Sequence, residues 1–430
     1  MPTLEWIGKS KVVNHHQEVP FRVLERQYSF DEMGKHTEDN GSDNMIIHGD
    51  NLEALKALLP QYEGRVKCIY IDPPYNTGNE KWCYNDNVND PHIQKWLGEV
   101  VGKEGEDLTR HDKWLCMMYP RLMLLQKLLA DDGAIFISID DNELYNLKSI
   151  CDEIFGASCF VSNISWQRTY STRNDSKGIV NEVEHILVYS KQPGWNPNKL
   201  PRTAEMDAIY KNPDNDSRPW ASDNPYAPGA ATHQGMVYAI QHPFDGRLLY
   251  PSNGRCWTFG QEQMLEYMNA WANYELRDLH DEKERAAICG ISEVDVRKEV
   301  KAIMLADSLD IASKRAQSVL ERGSWPRFYF TKGGKGGIRR KTYLENVGGK
   351  LPTNFWPYTE VGHTDEAAKQ IKAIFGGEAT FDTPKPSRLI EFVLKIASSE
   401  DALILDSFAG SGTTAHAVLN MNKADGGHRK

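Results

Sequence analysis

Residues 66–78 constrain the fold more than any other stretch, reading Val-Lys-Cys-Ile-Tyr-Ile-Asp-Pro-Pro-Tyr-Asn-Thr-Gly. The short apolar run has the character of a buried parallel strand. It stops at Asp72, where Pro73 and Pro74 exclude both a helix and further ladder pairing, so the chain leaves the sheet there. In open α/β sheets, ligands sit at the carboxyl ends of the strands. One carboxylate, one rigid turn and the ring of Tyr75 therefore reach a single crevice. That set suits a weak nucleophile from which a proton must be drawn. An exocyclic amino group of a nucleobase is such a nucleophile, because its lone pair is delocalised into the ring. Asp72 would accept one N–H and the Pro73 carbonyl the other, while Tyr75 stacks on a base that has left its helix. A stiff surface turn needs the same residues, so the rest of the chain has to decide.

The chain has 430 residues, 40% of them hydrophobic and 26% charged, enough for two domains or one elaborated domain. No apolar run approaches membrane-spanning length and the N-terminus lacks a signal-peptide core, so no membrane association is expected. The seven cysteines are scattered without a Cys-x-x-Cys pair, which fits a reduced cytoplasmic compartment and no metal site. A net charge of −10 argues against indiscriminate coating of nucleic acid and leaves room for a focused basic groove.

Residues 1–44 read as an N-terminal extension, with His15-His16 as a solvated loop pair. Residues 45–50 predict a strand ending in Asp50, and 51–59 a helix closed by Pro60. After the Asp72 strand comes a polar loop, 76–109, long enough to be functional or mobile. Residues 111–129 predict an amphipathic helix, 134–141 a strand ending in acids, 142–155 a helix, and 160–166 with 185–189 a further strand pair. Strands alternating with helices predict a doubly wound α/β sheet.

The pattern breaks after Lys191, and residues 192–345 form a candidate recognition insertion. Near its end, aromatics interleave with Lys332, Lys335, Arg339, Arg340 and Lys341 on a glycine-rich loop. Cations on closely approaching backbone suit phosphate contact, although a flexible exposed loop has the same composition. The α/β pattern then returns, with a helix opened by Pro384-Lys385-Pro386 and a strand over 402–406.

That strand runs into Ser407-Phe408-Ala409-Gly410-Ser411-Gly412-Thr413-Thr414 and a helix. Gly410 and Gly412 let backbone N–H groups approach a ligand, and a helix N-terminus favours a carboxylate or phosphate. The third glycine of a dinucleotide fingerprint is replaced by Ala415, and the Walker lysine is missing. A methionine-derived cofactor, with a carboxylate, a ribose and an adenine, fits the loop as well.

Together, Asp-Pro-Pro-Tyr and Phe-x-Gly-x-Gly at two strand ends resemble the amino-group DNA methyltransferases that use S-adenosylmethionine. The acceptor motif precedes the cofactor motif with the insertion between them, which is the permuted order of the β group. Residues 72–78, Arg110-His111-Asp112-Lys113-Trp114-Leu115 and residues 406–416 further resemble the modification (Mod) subunits of type III restriction systems. The resemblance implies a Rossmann-like, S-adenosylmethionine-dependent methyltransferase sheet, circularly permuted, with an inserted target-recognition domain. The catalytic part would be 45–191, the recognition domain 192–345 and the cofactor part 346–430.

By the same resemblance, Asp72, Pro73, Pro74 and Tyr75 would hold the flipped base. Asp50 would contact the cofactor adenine, Lys385 would lie near its methionine end, and Asp406 would brace a loop in which Phe408, Gly410, Gly412 and Thr413 line the cofactor. Asp140 faces the same crevice, with either a site role or a structural one in helix capping or turn formation. Aspartate at the head of the motif favours adenine N6 over cytosine N4, and double-stranded DNA, a second copy of the chain and a restriction (Res) subunit are the implied partners. A catalytically silent DNA-recognition fragment is the competing reading. In this family a further strand follows the glycine-loop helix, between the Asp50 and Asp406 strands, whereas the sequence stops at Lys430. The expectation is a fragment of a longer subunit, or a truncated gene product with weak cofactor binding, with unpaired backbone groups on both neighbours of an interior gap.

Overall fold

The run before Asp72 forms a strand, β1 (Val66–Ile71), in which only Lys67 escapes full burial. Ile69 and Ile71 enter one hydrophobic core, and Cys68 and Tyr70 another, which is why the run is continuous rather than alternating. The strands that complete its sheet are β2 (Leu129–Ile139), β3 (Phe160–Gln167), β4 (Val183–Ser190), β5 (Phe355–Trp356) and β6 (Ile404–Leu405). Their spatial order is β5-β3-β4-β2-β1-β6. β1 lies parallel to both β2 and β6, whereas β4 runs antiparallel to β2 and β3. The amino end of β4 therefore lies where the other strands finish, with His185 opposite Ile139.

The computed structural model describes residues 3–77, 110–170, 178–378, 381 and 383–430. Most of the polar loop singled out above, from Gly78 to residue 109, lies outside them. The chain divides into one unit of Met1–Leu200 with Leu351–Lys430, and a second of Pro201–Lys350. In the first unit, α1 (Asn51–Tyr62), α2 (Arg110–Leu128) and α3 (Leu144–Phe155) cover the face of Ile69 and Ile71. The opposite face is covered by α4 (Ser387–Ala397) and α5 (Thr413–Asp425). Leu389, Ile390, Val393, Leu394 and Ala397 of α4 are buried at the spacing of one helical face. Among the described residues, no helix is long and apolar enough to cross a membrane.

Three expectations fail here. Residues 45–50 form no strand, and Ile46 is 96% exposed. Asp50 instead caps α1, its carboxylate accepting the Leu52 and Glu53 N–H groups, and the helix continues through Pro60 to Tyr62. His16 is not solvated. It is buried in a short helix, His15–Glu18, and its Nδ1 lies 3.1 Å from the Val13 carbonyl, because Val12 and Val19 on either side pull the segment onto the core. Finally, with no strand at 45–50, the interior gap does not arise. The outer edge of β6 carries residues 428–430 instead: the Lys430 N–H donates to the Ala402 carbonyl (3.1 Å) and the Ile404 N–H to the Lys430 carbonyl (2.7 Å).

The second unit has its own core, built around Trp257, Trp271, Ile303 and Phe328. One of its sheets places Ile338–Tyr343 between Phe328–Phe330 and Trp220–Asp223.

Candidate active site

Asp72 emerges from the carboxyl end of β1 into a paired cluster. Lys385 Nζ lies 2.9 Å from each carboxylate oxygen, and the Tyr75 hydroxyl donates to Oδ1 at 2.8 Å. Lys385 also donates to the Tyr75 oxygen (2.8 Å). Glu184, at the start of the reversed strand β4, brings Oε2 to 3.3 Å from the Tyr75 oxygen and 3.5 Å from the Lys385 ammonium. Its other oxygen accepts from Arg168 Nη1 at 2.8 Å. Two acids thus face two cations, with the side chains of Lys385 and Glu184 each only 8% exposed. Burial holds Asp72 above the ordinary carboxylate value, aided by Glu184 and opposed by Lys385. For Glu184 burial pushes the same way, but Lys385 and Arg168 outweigh it and hold the group below its ordinary value.

The turn that carries Asp72 is clamped from behind. The Trp114 indole N–H donates to the Pro74 carbonyl at 2.6 Å. Asn76 is buried in a left-handed conformation (φ 57°), its amide donating to the Glu143 carboxylate and to the Arg110 carbonyl (3.2 Å). Glu143, fully buried, also accepts from Asn146 (2.8 Å) and lies 2.6 Å from His111 Nδ1. This gives the 110–115 string a physical meaning. His111 and Trp114, one turn apart on α2, both grip the acceptor turn.

The neighbouring strand, β6, delivers the glycine loop. Asp406 accepts from the Phe408 N–H (2.9 Å) and the Thr414 hydroxyl (2.6 Å), and burial pushes it up to about 6. Gly410 and Gly412 are left-handed, with φ 52° and 75°, a conformation that L side chains rarely adopt. A Cβ on Gly412 would meet open space, whereas one on Gly410 would lie 3.3 Å from the Phe381 ring. Phe408 is half-buried against the core. Thr413 donates to the Lys385 carbonyl at 3.2 Å, so Lys385 joins the two motifs, its carbonyl to the loop and its ammonium to Asp72. The Asp50 carboxylate is 56% exposed and 3.7 Å from Arg121. Arg121 holds Asn51 (2.6 Å), which in turn donates to the Ser407 carbonyl (3.3 Å).

Asp72 and Tyr75 are therefore brought together with Lys385, whose side chain goes to the acceptor carboxylate rather than standing apart with the cofactor residues. Asp406, Phe408, Gly410, Gly412 and Thr413 gather on the adjacent loop, tied to the Asp50 cap through Asn51. Asp140 is occupied by the Asn142 N–H (2.9 Å) and side-chain amide (2.6 Å), a turn role. Glu184, Arg168, Glu143 and Asn76 escaped the sequence reading. The available signal for Glu184 was an acid at the start of a strand, informative only once that strand is known to run backwards.

In the second unit, Lys332, Lys335 and Arg339 are exposed and Arg340 is paired with Asp223. Lys341 as a phosphate contact is overturned. Its side chain is fully buried, bonded to Asp214 and, at 2.8 Å, to Asp216, because those buried carboxylates need a cation. Gly334 and Gly336 there serve packing, since a Cβ on Gly334 would come within 2.8 Å of the Phe244 ring and one on Gly336 within 2.9 Å of the Thr331 carbonyl, whereas Gly333 and Gly337 face open space.

A carboxylate and aromatic ring on a proline-fixed turn, beside a glycine loop on the adjacent parallel strand, are what an enzyme acting on an amino group needs. Residues 66–424 match the DNA methylase family of N6 and N4 enzymes, and the chain belongs to that family. It is 33% identical over 404 residues to the type III restriction-modification enzyme StyLTI Mod subunit of Salmonella typhimurium, covering 91% of this chain and 52% of that protein. The EcoPI Mod subunit of Escherichia phage P1 is 28% identical, over 99% of this chain and 62% of its own length. The type II methyltransferase M.KpnI of Klebsiella pneumoniae is 30% identical, over 94% and 83%. The chain thus spans about half to three-fifths of the length of the Mod subunits it matches.

Proposed function

We propose that this chain carries the catalytic site of a site-specific DNA methyltransferase, which moves a methyl group from S-adenosylmethionine to adenine N6 in duplex DNA. The observation that carries the reading is the state of Asp72. Oδ1 already accepts from Lys385 and Tyr75, but Oδ2 accepts from Lys385 alone and keeps one lone pair for an amino hydrogen. The Pro73 carbonyl would take the second hydrogen, the Trp114 indole holding the Pro74 carbonyl next to it. Two acceptors draw the nitrogen toward tetrahedral geometry and release its lone pair. The Tyr75 ring, tied down by its hydroxyl, offers a stacking face. As the nitrogen gains its methyl group, its surplus proton passes to Asp72 Oδ2.

The loop suits the cofactor. The amides around Gly410 and Gly412 and the start of α5 would take a carboxylate, and the half-exposed Asp50 would take a polar group of the adenosine. When bound, S-adenosylmethionine supplies a methyl group on a positive sulfur, so no protein nucleophile is required. Aspartate at the head of the motif supports adenine over cytosine.

In the same reading the chain is cytoplasmic and dimeric, and works as a Mod subunit beside a restriction partner, as the names of its relatives suggest. Lys332, Lys335 and Arg339 contact DNA phosphates, and replacing both lysines by alanine should flatten the slope of log affinity against log salt by about 2.

The test is to express the protein in a methylation-free host and read base modifications across the host DNA. N6-methyladenine at one short motif is expected. N4-methylcytosine there would move the activity to the alternative base, and unmodified DNA despite soluble protein would overturn the reading in favour of a silent recognition role.

A further inference from the structure

We propose that Glu184 is a positioning residue for the acceptor carboxylate, sharing the Lys385 ammonium and the Tyr75 hydroxyl with Asp72 so that Asp72 remains a competent acceptor. The inference deepens the methyltransferase reading and rests on it. Tyr75 has one hydroxyl hydrogen and two carboxylate oxygens within reach, Asp72 Oδ1 at 2.8 Å and Glu184 Oε2 at 3.3 Å. Lys385 likewise lies between Asp72, at 2.9 Å, and Glu184, at 3.5 Å. Without Glu184, the positive charge of Lys385 would bear on Asp72 alone. Asp72 already accepts three hydrogen bonds, two of them from that ammonium, and with no second acid to share the charge it would be a weaker acceptor for a neutral amine and a weaker base for its proton.

Glu184 is built for this service rather than for contact with substrate. Arg168 fixes Oε1 at 2.8 Å, which leaves Oε2 aimed at Tyr75 and Lys385. Its backbone belongs to β4, the one reversed strand, so its place does not depend on either the proline turn or the glycine loop. The other ionisable groups that bear on Asp72 are Tyr70 of β1 and Asp406 beyond β6. Neither competes for the same donors. Tyr70 is bonded to Ser138 and Asp406 to its own loop.

The experiment compares wild type with E184Q and E184D. In E184Q, kcat should fall about ten- to a hundredfold while KM for DNA moves less than about twofold. The acid limb of the kcat profile should shift to lower pH, because a negative neighbour that raises Asp72 is gone. E184D, which keeps the charge, should leave that limb in place and recover part of kcat. Carbon-13 NMR titration of Asp72 in the cofactor-free protein reads the same shift without turnover.

Unchanged kcat with an unchanged Asp72 titration in E184Q overturns the proposal. If E184Q does not fold, R168Q carries the test by unmooring Glu184, and an unaltered kcat there is equally fatal. A wild type that transfers no methyl group removes the methyltransferase reading, whereas the NMR titration still decides whether Glu184 governs Asp72.

Discussion

Asp72 and Asp406 end adjacent parallel strands, and they are held in opposite ways. Asp406 is satisfied by Phe408 and Thr414, two and eight residues along the chain, and among the described residues faces no cation, so burial drives it to about 6. Asp72 is held by Lys385, 313 residues away, in a cluster completed by Glu184 and Arg168. The glycine loop is a local structure that its own residues can form. The acceptor corner exists only once β1, β4 and the start of α4 have met. A site assembled this way keeps its reactive carboxylate oriented, but every part of it depends on the whole sheet.

The contrast can be tested by substitution, beginning with the largest effect. D72A should lower methyl transfer by roughly a thousandfold, measured with labelled cofactor under single-turnover conditions, since it removes the proton acceptor. A drop as large in D406N would erase the distinction. K385A should next cost about 3–5 kcal/mol of stability in urea denaturation, because it strands two buried carboxylates. Adding E184Q should return part of that loss, and a strictly additive double variant would show that the cluster is not coupled.

D406N should reveal the opposite electrostatics. A buried carboxyl with a raised pKa binds its proton more readily folded than unfolded, so wild-type stability falls as pH rises from about 4 to about 6 and is flat above. D406N should lack that slope and gain at most about 3 kcal/mol at pH 7, read from denaturation at a series of pH values. The smallest effect belongs to W114F, which unpairs the Pro74 carbonyl and should lower stability by about 1–2 kcal/mol in the same assay.

What could be read from the sequence follows the same division. The apolar run into Asp-Pro-Pro, the glycine loop, α2 and α3 all carry their signals within a few residues, and each appears where those signals place it. Residues 45–50 misled because Met-Ile-Ile is apolar enough for a strand while no neighbour offers it a ladder. Lys341 misled because a lysine in a basic stretch looks exposed until Asp214 and Asp216, more than a hundred residues earlier, turn out to need it. Glu184 was hidden by strand direction. Local periodicity says that a segment is a strand but not which end of it reaches the crevice.

The clasp of Asn76 to Arg110 has a last consequence. The chain leaves the acceptor turn and returns to α2 at two points hydrogen-bonded to each other, one residue before and one residue after the segment 77–109. The ends of that segment are thus fixed by residues outside it. The aim of the carboxylate next door is therefore set by residues on either side of that segment, Asn76 and Arg110, with Glu143 holding the same amide from α3's leading turn.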